Sequence, residues 1–273
     1  LDQHCSRDGD APFFAYLPIT IPHAAMQCPE EDVAPFRKKF PQFEDKIGKY
    51  SHGTKVKNPV AAFAGMMTRM DRGIGQVLDL LDELKIADNT LVLFTSDNGP
   101  HYEGGHQPGF FNSNGPLKGH KRDLYEGGIR VPLIAYWPGK VKAGIVSDHI
   151  CAHWDLMPTF CELAKIPTPR HTDGISYVPT LIGVKQTKHK YLYWEFHSYG
   201  NAQAIRMGDW KAIRLKVKND PNAPIRLYNL RQDIGEKINI SDKHPDVVKQ
   251  IAPLFKEAHT PSERFPLFAK KKK

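Results

Sequence analysis

Two oxygen-bearing side chains follow directly after an apolar, β-branched segment at residues 90–95: Asp97 and Asn98, within the sequence SDNGPH. In α/β sheets ligands bind beyond the carboxyl ends of the strands, so side chains at this place are well positioned for a ligand. Carboxylate and amide oxygens are hard donors, which suit Ca²⁺, with Mg²⁺ as the alternative. Asp-Asn-Gly is also a favourable turn sequence, and on this motif alone both interpretations stay open.

A second polar segment, GHKRDLYEGGIRVP at residues 119–132, combines basic side chains with two adjacent glycines. Its basic groups, among them Lys121, could neutralise an anionic group such as a phosphate or a sulfate. The glycines Gly127 and Gly128 permit a tight backbone path into the strand that follows. A solvated basic loop is the alternative interpretation of this segment when it is taken by itself.

A histidine follows the first apolar segment of the chain. The sequence PFFAYL at residues 12–17 predicts a short buried strand that leads into a loop at residues 19–26, which contains Pro22 and His23. A histidine at such a place is either structural or a general acid that protonates a leaving oxygen.

Apolar periodicity predicts the elements that position these residues. Residues 59–84 show apolar side chains at three- and four-residue steps, which predicts a helix. The runs at residues 90–95 and 131–137 predict strands buried on both faces, as in a parallel sheet that is covered by helices. A helix is expected at residues 154–163, and residues 28–57 are expected to form a long surface connection. The polar, glycine-rich stretch at residues 97–128 is long enough to predict a functional loop.

Beyond residue 167 the pattern changes to short alternating strands, at residues 191–196, 202–207, 210–215 and 226–229, followed by a helix at about residues 245–258. The sequence therefore predicts an α/β fold, with a mixed, mostly parallel sheet flanked by helices. A smaller C-terminal antiparallel subdomain with a terminal helix completes the prediction. The expected domains are residues 1–166 for the α/β core and 167–273 for this subdomain.

Composition restricts the choice of partners only weakly. The 273 residues carry a formal net charge of +8, part of which belongs to the terminal run at residues 270–273. A basic balance suits any polyanion, but no aromatic-basic repeat or zinc-knuckle spacing points to nucleic acid. No apolar run approaches the roughly 20 residues of a membrane helix. The four cysteines show no C-x-x-C pair, so free buried thiols and one or two disulfides are both open.

The motifs together are more specific than any of them alone. In chain order they are Pro-His after a strand, SDNG after a helix and a strand, and K-x-x-x-YEGGIRVP before a strand. Farther along the chain come IRMGDWK at residues 205–211, LYNL at 227–230, and an Asp-to-Asn block at 233–239. Over nearly its whole length the sequence resembles the sulfatase branch of the alkaline phosphatase superfamily.

The resemblance implies specific roles for the candidate residues. Asp97 and Asn98 would be two of the calcium ligands. Lys121 would contact the sulfate and stabilise the leaving oxygen, while His23 would donate a proton to it. His101, just beyond the metal pair, would contact the substrate.

The resemblance also implies supporting residues and a missing nucleophile. Glu126 and Arg130 would be structural and would hold the glycine turn. Members of the family carry a C-x-P-x-R or S-x-P-x-R motif, whose first residue becomes formylglycine, and an amino-terminal Asp pair that completes the metal site. Neither feature occurs here, because Cys5-Ser6-Arg7 and the sequence PSER at residues 261–264 lack the spacing. The chain is therefore expected to be a carboxy-terminal portion that is inactive alone, with formylglycine supplied by a segment outside it.

For the intact protein, the resemblance implies hydrolysis of a sulfate ester, expected on a carbohydrate or glycosaminoglycan. Its partner would be a sulfated small molecule or glycan, its location would be periplasmic, secreted or lysosomal, and its oligomeric state is left open. Two alternatives remain at the level of sequence. One is a phosphoesterase of the same superfamily, and the other is a non-catalytic protein that binds sulfated glycans.

Overall fold

A computed structural model describes residues 12–269 of the chain. The fold divides into two compact units. Among the described residues, the first unit contains residues 12–91 and 101–111, and the second contains residues 92–100 and 112–269. These two units are defined by how compactly their residues pack together. The predicted border between residues 166 and 167 separates the α/β core from the C-terminal subdomain instead, and it stays a prediction.

The first unit is built on two helices, α1 (Glu30–Lys39) and α2 (Pro59–Glu83), with the short strands β1 (Ile47–Gly48) and β2 (Val56–Lys57) between them and the short helix α3 (Pro108–Phe111) after them. The predicted helix at residues 59–84 is confirmed. It begins at Asn58, whose Oδ1 accepts a hydrogen bond from the Ala61 N–H at 3.0 Å. Such a side-chain cap satisfies one of the amide groups that a helix start leaves without a partner.

Helices α1 and α2 pack closely. A Cβ atom at Gly65 of α2 would lie 2.8 Å from the carbonyl oxygen of Asp32 in α1, so only glycine permits this approach. The Asp32 carboxylate is buried and accepts hydrogen bonds from Arg69 at 2.8 Å and Arg72 at 2.9 Å. The apolar core of this unit lies beside this contact and contains Met26, Val33, Ala61, Ala62 and Met66.

Two predictions for the first unit were wrong. Residues 28–57 were expected to form a surface connection but contain α1, which has acidic residues in its first turn and basic residues in its last turn. This charge distribution complements the helix dipole, and the packing of Val33 and Phe36 beside α2 further stabilises a helix that contains Pro35. Residues 12–17 were expected to form a buried strand but form none, and Tyr16 is 76% exposed. A strand needs a neighbouring strand for its backbone groups, and no other described segment pairs with these residues.

The second unit begins with strand β3 (Val92–Thr95). It continues through helix α4 (Glu126–Ile129), strand β4 (Leu133–Tyr136) and helices α5 (Leu156–Leu163) and α6 (Val178–Leu181). The predicted strands and the helix near residues 154–163 are present. β3 and β4 pair antiparallel, with Thr95 opposite Leu133. The mostly parallel sheet is therefore not confirmed among the described residues, and β4 is not buried, because Ile134 is 58% exposed. An apolar run predicts a strand but does not fix the direction of its partner.

The predicted antiparallel subdomain is present as a four-stranded meander. Its strands are β5 (Leu192–Phe196), β6 (Ala202–Met207), β7 (Trp210–Leu215) and β8 (Ile225–Asn229), paired in chain order. The expected closing helix is divided into α7 (Pro245–Ile251) and α8 (Leu254–Glu257). The break lies at Pro253, which lacks the N–H that a continuous helix would require.

Both faces of this four-stranded sheet are covered. Ile205, Ala212 and Leu227 on one face pack against Val247, Ile251 and Phe255 of the closing helices. Ala204, Ile213 and Tyr228 on the other face pack against Leu124 and Tyr125. The alternation of side chains along a strand produces these two cores. Because Leu124 and Tyr125 directly precede α4, the second core places that helix on the sheet.

Two further expectations can be compared with the described residues. Residues 12–269 contain no helix with the length and apolar character of a membrane span. Cys28, Cys151 and Cys161 carry free thiols. Cys5 and the basic run at residues 270–273 lie outside the described residues.

We expect Phe255→Ala to lower the free energy of unfolding by about 3–5 kcal/mol, because the substitution leaves a cavity between the sheet and its helices. The Phe255 side chain is 1% exposed, whereas Phe265 is 68% exposed and serves as the matched control. Urea unfolding followed by tryptophan fluorescence measures both variants. Equal losses for the two variants would contradict the assignment of Phe255 to the core.

Candidate active site

Asp97 and Asn98 lie at the carboxyl end of β3, as the sequence predicted. Asp97 is exposed and Asn98 is half-buried. The Asn98 Nδ2 donates to the carbonyl oxygen of Gly99 at 2.9 Å, and the Ser96 hydroxyl donates to the carbonyl oxygen of Asn98 at 3.1 Å. These bonds fix the loop and leave the Asn98 Oδ1 as the amide atom suited to a cation.

Backbone hydrogen bonds hold this loop against the basic segment. The Gly99 N–H donates to the carbonyl oxygen of Gly128 at 3.0 Å, and the Lys121 N–H donates to that of Pro100 at 2.8 Å. A Cβ atom at Gly99 would lie 1.8 Å from the carbonyl oxygen of Gly127, so no other residue fits there. The main chain of Lys121 is thereby tied to the loop that carries Asp97.

Gly127 and Gly128 of α4 lie equally close to a second backbone segment, residues 118–123. The Gly127 N–H donates to the carbonyl oxygen of Lys118 at 2.6 Å. A Cβ atom would lie 2.3 Å from the Gly119 oxygen if placed on Gly127, and 2.2 Å from the Asp123 oxygen if placed on Gly128. The predicted tight path through these glycines is confirmed: α4 lies backbone to backbone between residues 97–100 and residues 118–123.

A cluster of charged side chains, in which Glu126 and Lys211 are buried, surrounds the first residue of α4. The Glu126 carboxylate lies 2.7 Å from the Lys211 Nζ, 3.4 Å from Arg206 and 3.8 Å from Arg130. The Lys211 side chain is completely buried. The Glu126 N–H donates to the Glu236 Oε2 at 2.7 Å. The structural role expected for Glu126 and Arg130 is thus consistent with these contacts, and Glu126 joins the glycine turn to the four-stranded sheet.

The two carboxyl groups in this cluster titrate in opposite directions. Burial raises the pKa of Glu126, but the charges of Lys211, Arg206 and Arg130 outweigh burial and hold that pKa below its ordinary value. Burial raises the pKa of Glu236 to about 7, the Glu126 charge adds to this, and the charges of Lys211 and Lys118 oppose it. The Glu236 Oε1 has no hydrogen-bond partner among residues 12–269, which suits a carboxyl group that holds a proton near neutral pH.

His23 and His101 lie together in the first unit. Their ring centroids are 5.8 Å apart, and the His23 ring also meets Tyr50 edge-on at 5.3 Å. The His101 Nε2 lies 3.1 Å from the carbonyl oxygen of Pro22, and its Nδ1 lies 3.0 Å from the Glu103 carboxylate. His23 is exposed, whereas His101 is 6% exposed. His101 therefore fixes the segment that presents His23.

The histidine pair is supported by a row of aromatic rings. His106 is buried and stacks on Phe63 with centroids 3.7 Å apart, and it also stacks on Phe111 at 5.8 Å. The His106 and His101 rings are 5.5 Å apart. Aromatic packing of this kind limits rotation of the rings and preserves their relative orientation.

The predicted site residues fall into two sets. Asp97, Asn98 and Lys121 belong to the second unit, and His23 and His101 belong to the first. Their predicted roles stay predictions. Within residues 12–269 no group of three or more His, Cys, Asp and Glu side chains could hold a metal ion. Asp97 and Asn98 supply oxygens of the type that Ca²⁺ binds, but in smaller number than its six to eight ligands.

Sequence analysis missed Lys211 and Glu236. A signal for Lys211 was present, since alternation along β7 places it on the same face as Ile213, which is buried. A lysine at a core position predicts a buried partner of opposite charge. Glu236 lies in the block at residues 233–239, but no local pattern in that block indicated its burial.

The raised pKa of Glu236 predicts a pH dependence of stability. Between its ordinary pKa of 4.5 and the folded value of about 7, the folded state keeps a proton that the unfolded state releases, so stability falls as pH rises through this range. The full loss is on the order of 3 kcal/mol, of which about 2 kcal/mol falls between pH 5.5 and pH 8. Glu236→Gln stays neutral and removes this loss. Urea unfolding at pH 5.5 and pH 8 tests this, and an unchanged difference in the Gln variant would contradict it.

Comparisons with known proteins agree with the resemblance seen in the sequence. A family model described as Sulfatase matches residues 3–166, and one described as N-sulphoglucosamine sulphohydrolase, C-terminal, matches residues 119–260. The N-acetylgalactosamine-6-O-sulfatase of Bacteroides thetaiotaomicron is 29% identical, covering 92% of this chain and 48% of its own length. Human steryl-sulfatase is 36% identical, covering 73% of this chain and 31% of its own length.

Solved structures show the same relationship. The crystal structure of Ps i-CgsB in complex with k-i-k-neocarrahexaose has a TM-score of 0.75 and 31% identity, covering 99% of this chain and 54% of that one. The structure of BT4656 with its substrate D-glucosamine-2-N,6-O-disulfate has a TM-score of 0.60 and 26% identity. The match covers 74% of this chain and 40% of that one. The chain spans about half the length, or less, of the curated relatives it matches. The Sulfatase model covers more than half of the chain, and the chain belongs to the sulfatase family.

Proposed function

We propose that the protein to which this chain belongs hydrolyses sulfate esters. The observation that carries the proposal is the joining of the loop bearing Asp97 and Asn98 to the segment bearing Lys121. Two backbone hydrogen bonds of 2.8 Å and 3.0 Å connect these segments and α4. Oxygens of a type suited to a cation, and an ammonium group, would thereby be carried by two segments of main chain that are hydrogen-bonded to each other, which suits the anionic group of a sulfate ester.

Asp97 and Asn98 would supply two oxygen ligands to Ca²⁺, with Mg²⁺ as the alternative. When bound, the cation would hold the sulfate oxygens and withdraw charge from them. Two ligands are far fewer than the usual six to eight, so this chain by itself should bind Ca²⁺ weakly. The proposed formylglycine nucleophile requires a C-x-P-x-R or S-x-P-x-R motif, which these 273 residues do not contain.

Lys121 and His23 would act on the leaving group. The Lys121 ammonium would stabilise negative charge on the sulfate and on the departing oxygen. The His23 imidazole, which is exposed, would donate the proton that turns the departing oxygen into an alcohol. His101 was predicted to contact substrate; its burial and its contact with the Pro22 carbonyl support a role in orienting His23 instead.

A sulfated carbohydrate is the substrate class we favour. Sugars are the ligands of similar proteins: a neocarrahexaose in one solved structure, a glucosamine disulfate in another, and a 6-O-sulfated N-acetylgalactosamine by the name of the Bacteroides relative. The net charge of +8 is compatible with a polyanionic glycan. A periplasmic, secreted or lysosomal location would accord with such a substrate.

The product of the complete open reading frame that encodes this chain should release sulfate from a sulfated N-acetylhexosamine, measured by ion chromatography. Lys121→Ala should reduce kcat/KM at least 100-fold, because it removes the ammonium group from the transition state. Lys142→Ala changes charge equally on an exposed residue and is the control. Release of phosphate from phosphate esters alone would favour a phosphoesterase. Binding of the sulfated sugar without turnover would favour a non-catalytic protein, and either result would refute the proposal.

The 273-residue chain purified by itself should show no turnover of an aryl sulfate, because the nucleophile motif is absent from it and its metal ligands are too few. A fluorogenic aryl sulfate, with and without millimolar Ca²⁺, provides the measurement. The protein must be produced in cells that lack any longer form of it. Calcium-dependent turnover by such a preparation would show that the chain needs no further residues.

A further inference from the structure

Glu236 is placed with unusual firmness for a residue in an irregular segment. Its backbone adopts a left-handed conformation, with φ of 48°, which is uncommon for a residue other than glycine. Its N–H donates to the carbonyl oxygen of Asp233 at 3.1 Å, and its own carbonyl oxygen accepts from the Lys118 Nζ at 2.9 Å. The Asp233 carboxylate in turn accepts the N–H groups of Lys237 at 2.8 Å and Ile238 at 2.9 Å. These contacts fix the backbone of residues 233–238 and thereby limit the positions that the Glu236 carboxyl group can take.

The Glu236 carboxyl group is fully buried and makes its hydrogen bond to the N–H of Glu126. Glu126 is the first residue of α4, and an N–H at a helix start has no acceptor within its own helix. Leaving such a buried donor without a partner destabilises the folded state. The Glu236 carboxylate thus fixes the end of α4 from which Gly127 and Gly128 follow.

The bond between Glu236 and Glu126 affects the candidate active site because α4 is hydrogen-bonded to two of its loops. Gly128 accepts the N–H of Gly99, and Gly127 donates to Lys118. No side chain could be accommodated at Gly99 or Gly127, so a shift of α4 must displace the neighbouring loops as well. A route of direct contacts therefore leads from Glu236, through α4, to the loop that carries Asp97.

We propose that Glu236 is a positioning residue for the candidate active site, which fixes through the Glu126 N–H the place of α4 and of the two loops that carry Asp97, Asn98 and Lys121. The inference rests on the proposed function in one respect, namely that Asp97, Asn98 and Lys121 take part in catalysis. The geometric part concerns contacts within the second unit and can be tested without turnover.

Hydrogen–deuterium exchange of the 273-residue chain tests the geometric part. Glu236→Leu removes the acceptor for Glu126 while keeping an apolar side chain of similar size, and the amides of Gly99, Lys121 and Gly127 should then exchange about tenfold faster. Glu236→Gln keeps an oxygen acceptor and should leave the same amides near their original rates. Amides within β6 and β7 report general destabilisation, and their exchange rates should change less than those of these three amides in either variant.

Faster exchange confined to Glu126 would overturn the proposal, because the bond would then have no influence beyond its own donor. A parallel rise in β6 and β7 would also overturn it, since Glu236 would then support the whole unit. If the Leu variant does not fold, Glu236→Asp keeps the carboxyl group but shortens its reach by one methylene. It should give the same local pattern to a smaller degree, and its absence would equally refute the proposal.

The catalytic part is tested in the complete gene product. Glu236→Leu should lower kcat/KM for a sulfated sugar about tenfold or more, and Glu236→Gln should restore most of the activity. If Glu236→Leu changes exchange as expected but leaves kcat/KM unchanged, the positioning role is refuted. If the unaltered gene product shows no sulfatase activity while the exchange pattern holds, the proposed function fails and the geometric inference stands.

Discussion

The ion pair between Glu126 and Lys211 is the interaction on which the arrangement of the second unit depends. Removing two charges from water is costly, and mutual attraction offsets that cost only when geometry is good and further hydrogen bonds are present. Here the two charged atoms are 2.7 Å apart, and Arg206 and Arg130 add positive charge on the other carboxylate oxygen. Lys211 is in β7, a middle strand of the sheet, and Glu126 begins α4. Replacing either residue by a neutral one would therefore leave the other as a buried charge without its partner.

Apolar packing and the charged cluster both attach α4 to the four-stranded sheet, but they do so in different ways. Leu124 and Tyr125 bury their side chains on the sheet beside Ile213 and Tyr228, which stabilises the contact without specifying it closely. The charged cluster specifies it, since a carboxylate and an ammonium group tolerate little displacement in a buried site. Apolar burial supplies attraction, and the 2.7 Å ion pair adds a contact that depends on where α4 lies on the sheet.

Local patterns in the sequence predicted the elements whose structure is decided locally. Helix α2 and the four-stranded meander were predicted because their periodicities extend over several turns or several strands. The segment at residues 12–17 has the composition of a strand, but composition cannot supply the neighbouring strand that its backbone requires. Helix α1 was missed because a proline and many charged residues masked a favourable arrangement of charge at its two ends.

The candidate site divides in the same way. Asp97, Asn98 and Lys121 were predicted as site residues because motifs of adjacent residues carry them. Their supports, Lys211 and Glu236, are separated from Glu126 by 85 and 110 positions, and no pattern within a window of sequence connects such residues. The direction of the β3–β4 pair was likewise not predictable, since β3 ends at Thr95, β4 begins at Leu133, and no periodic pattern connects the two strands.

A site for a sulfate group requires positive charge and cation ligands that do not rearrange when the anion arrives, since reorganisation would reduce the stabilisation they provide. Side chains on a glycine-rich loop would ordinarily be mobile. In this chain the glycines have the opposite effect, because each one allows another backbone to approach and form a hydrogen bond, as Gly99 does with Gly128. The contacts that hold these loops thereby converge on the buried Glu126 and Lys211, whereas Asp97 is exposed and Lys121 is half-buried.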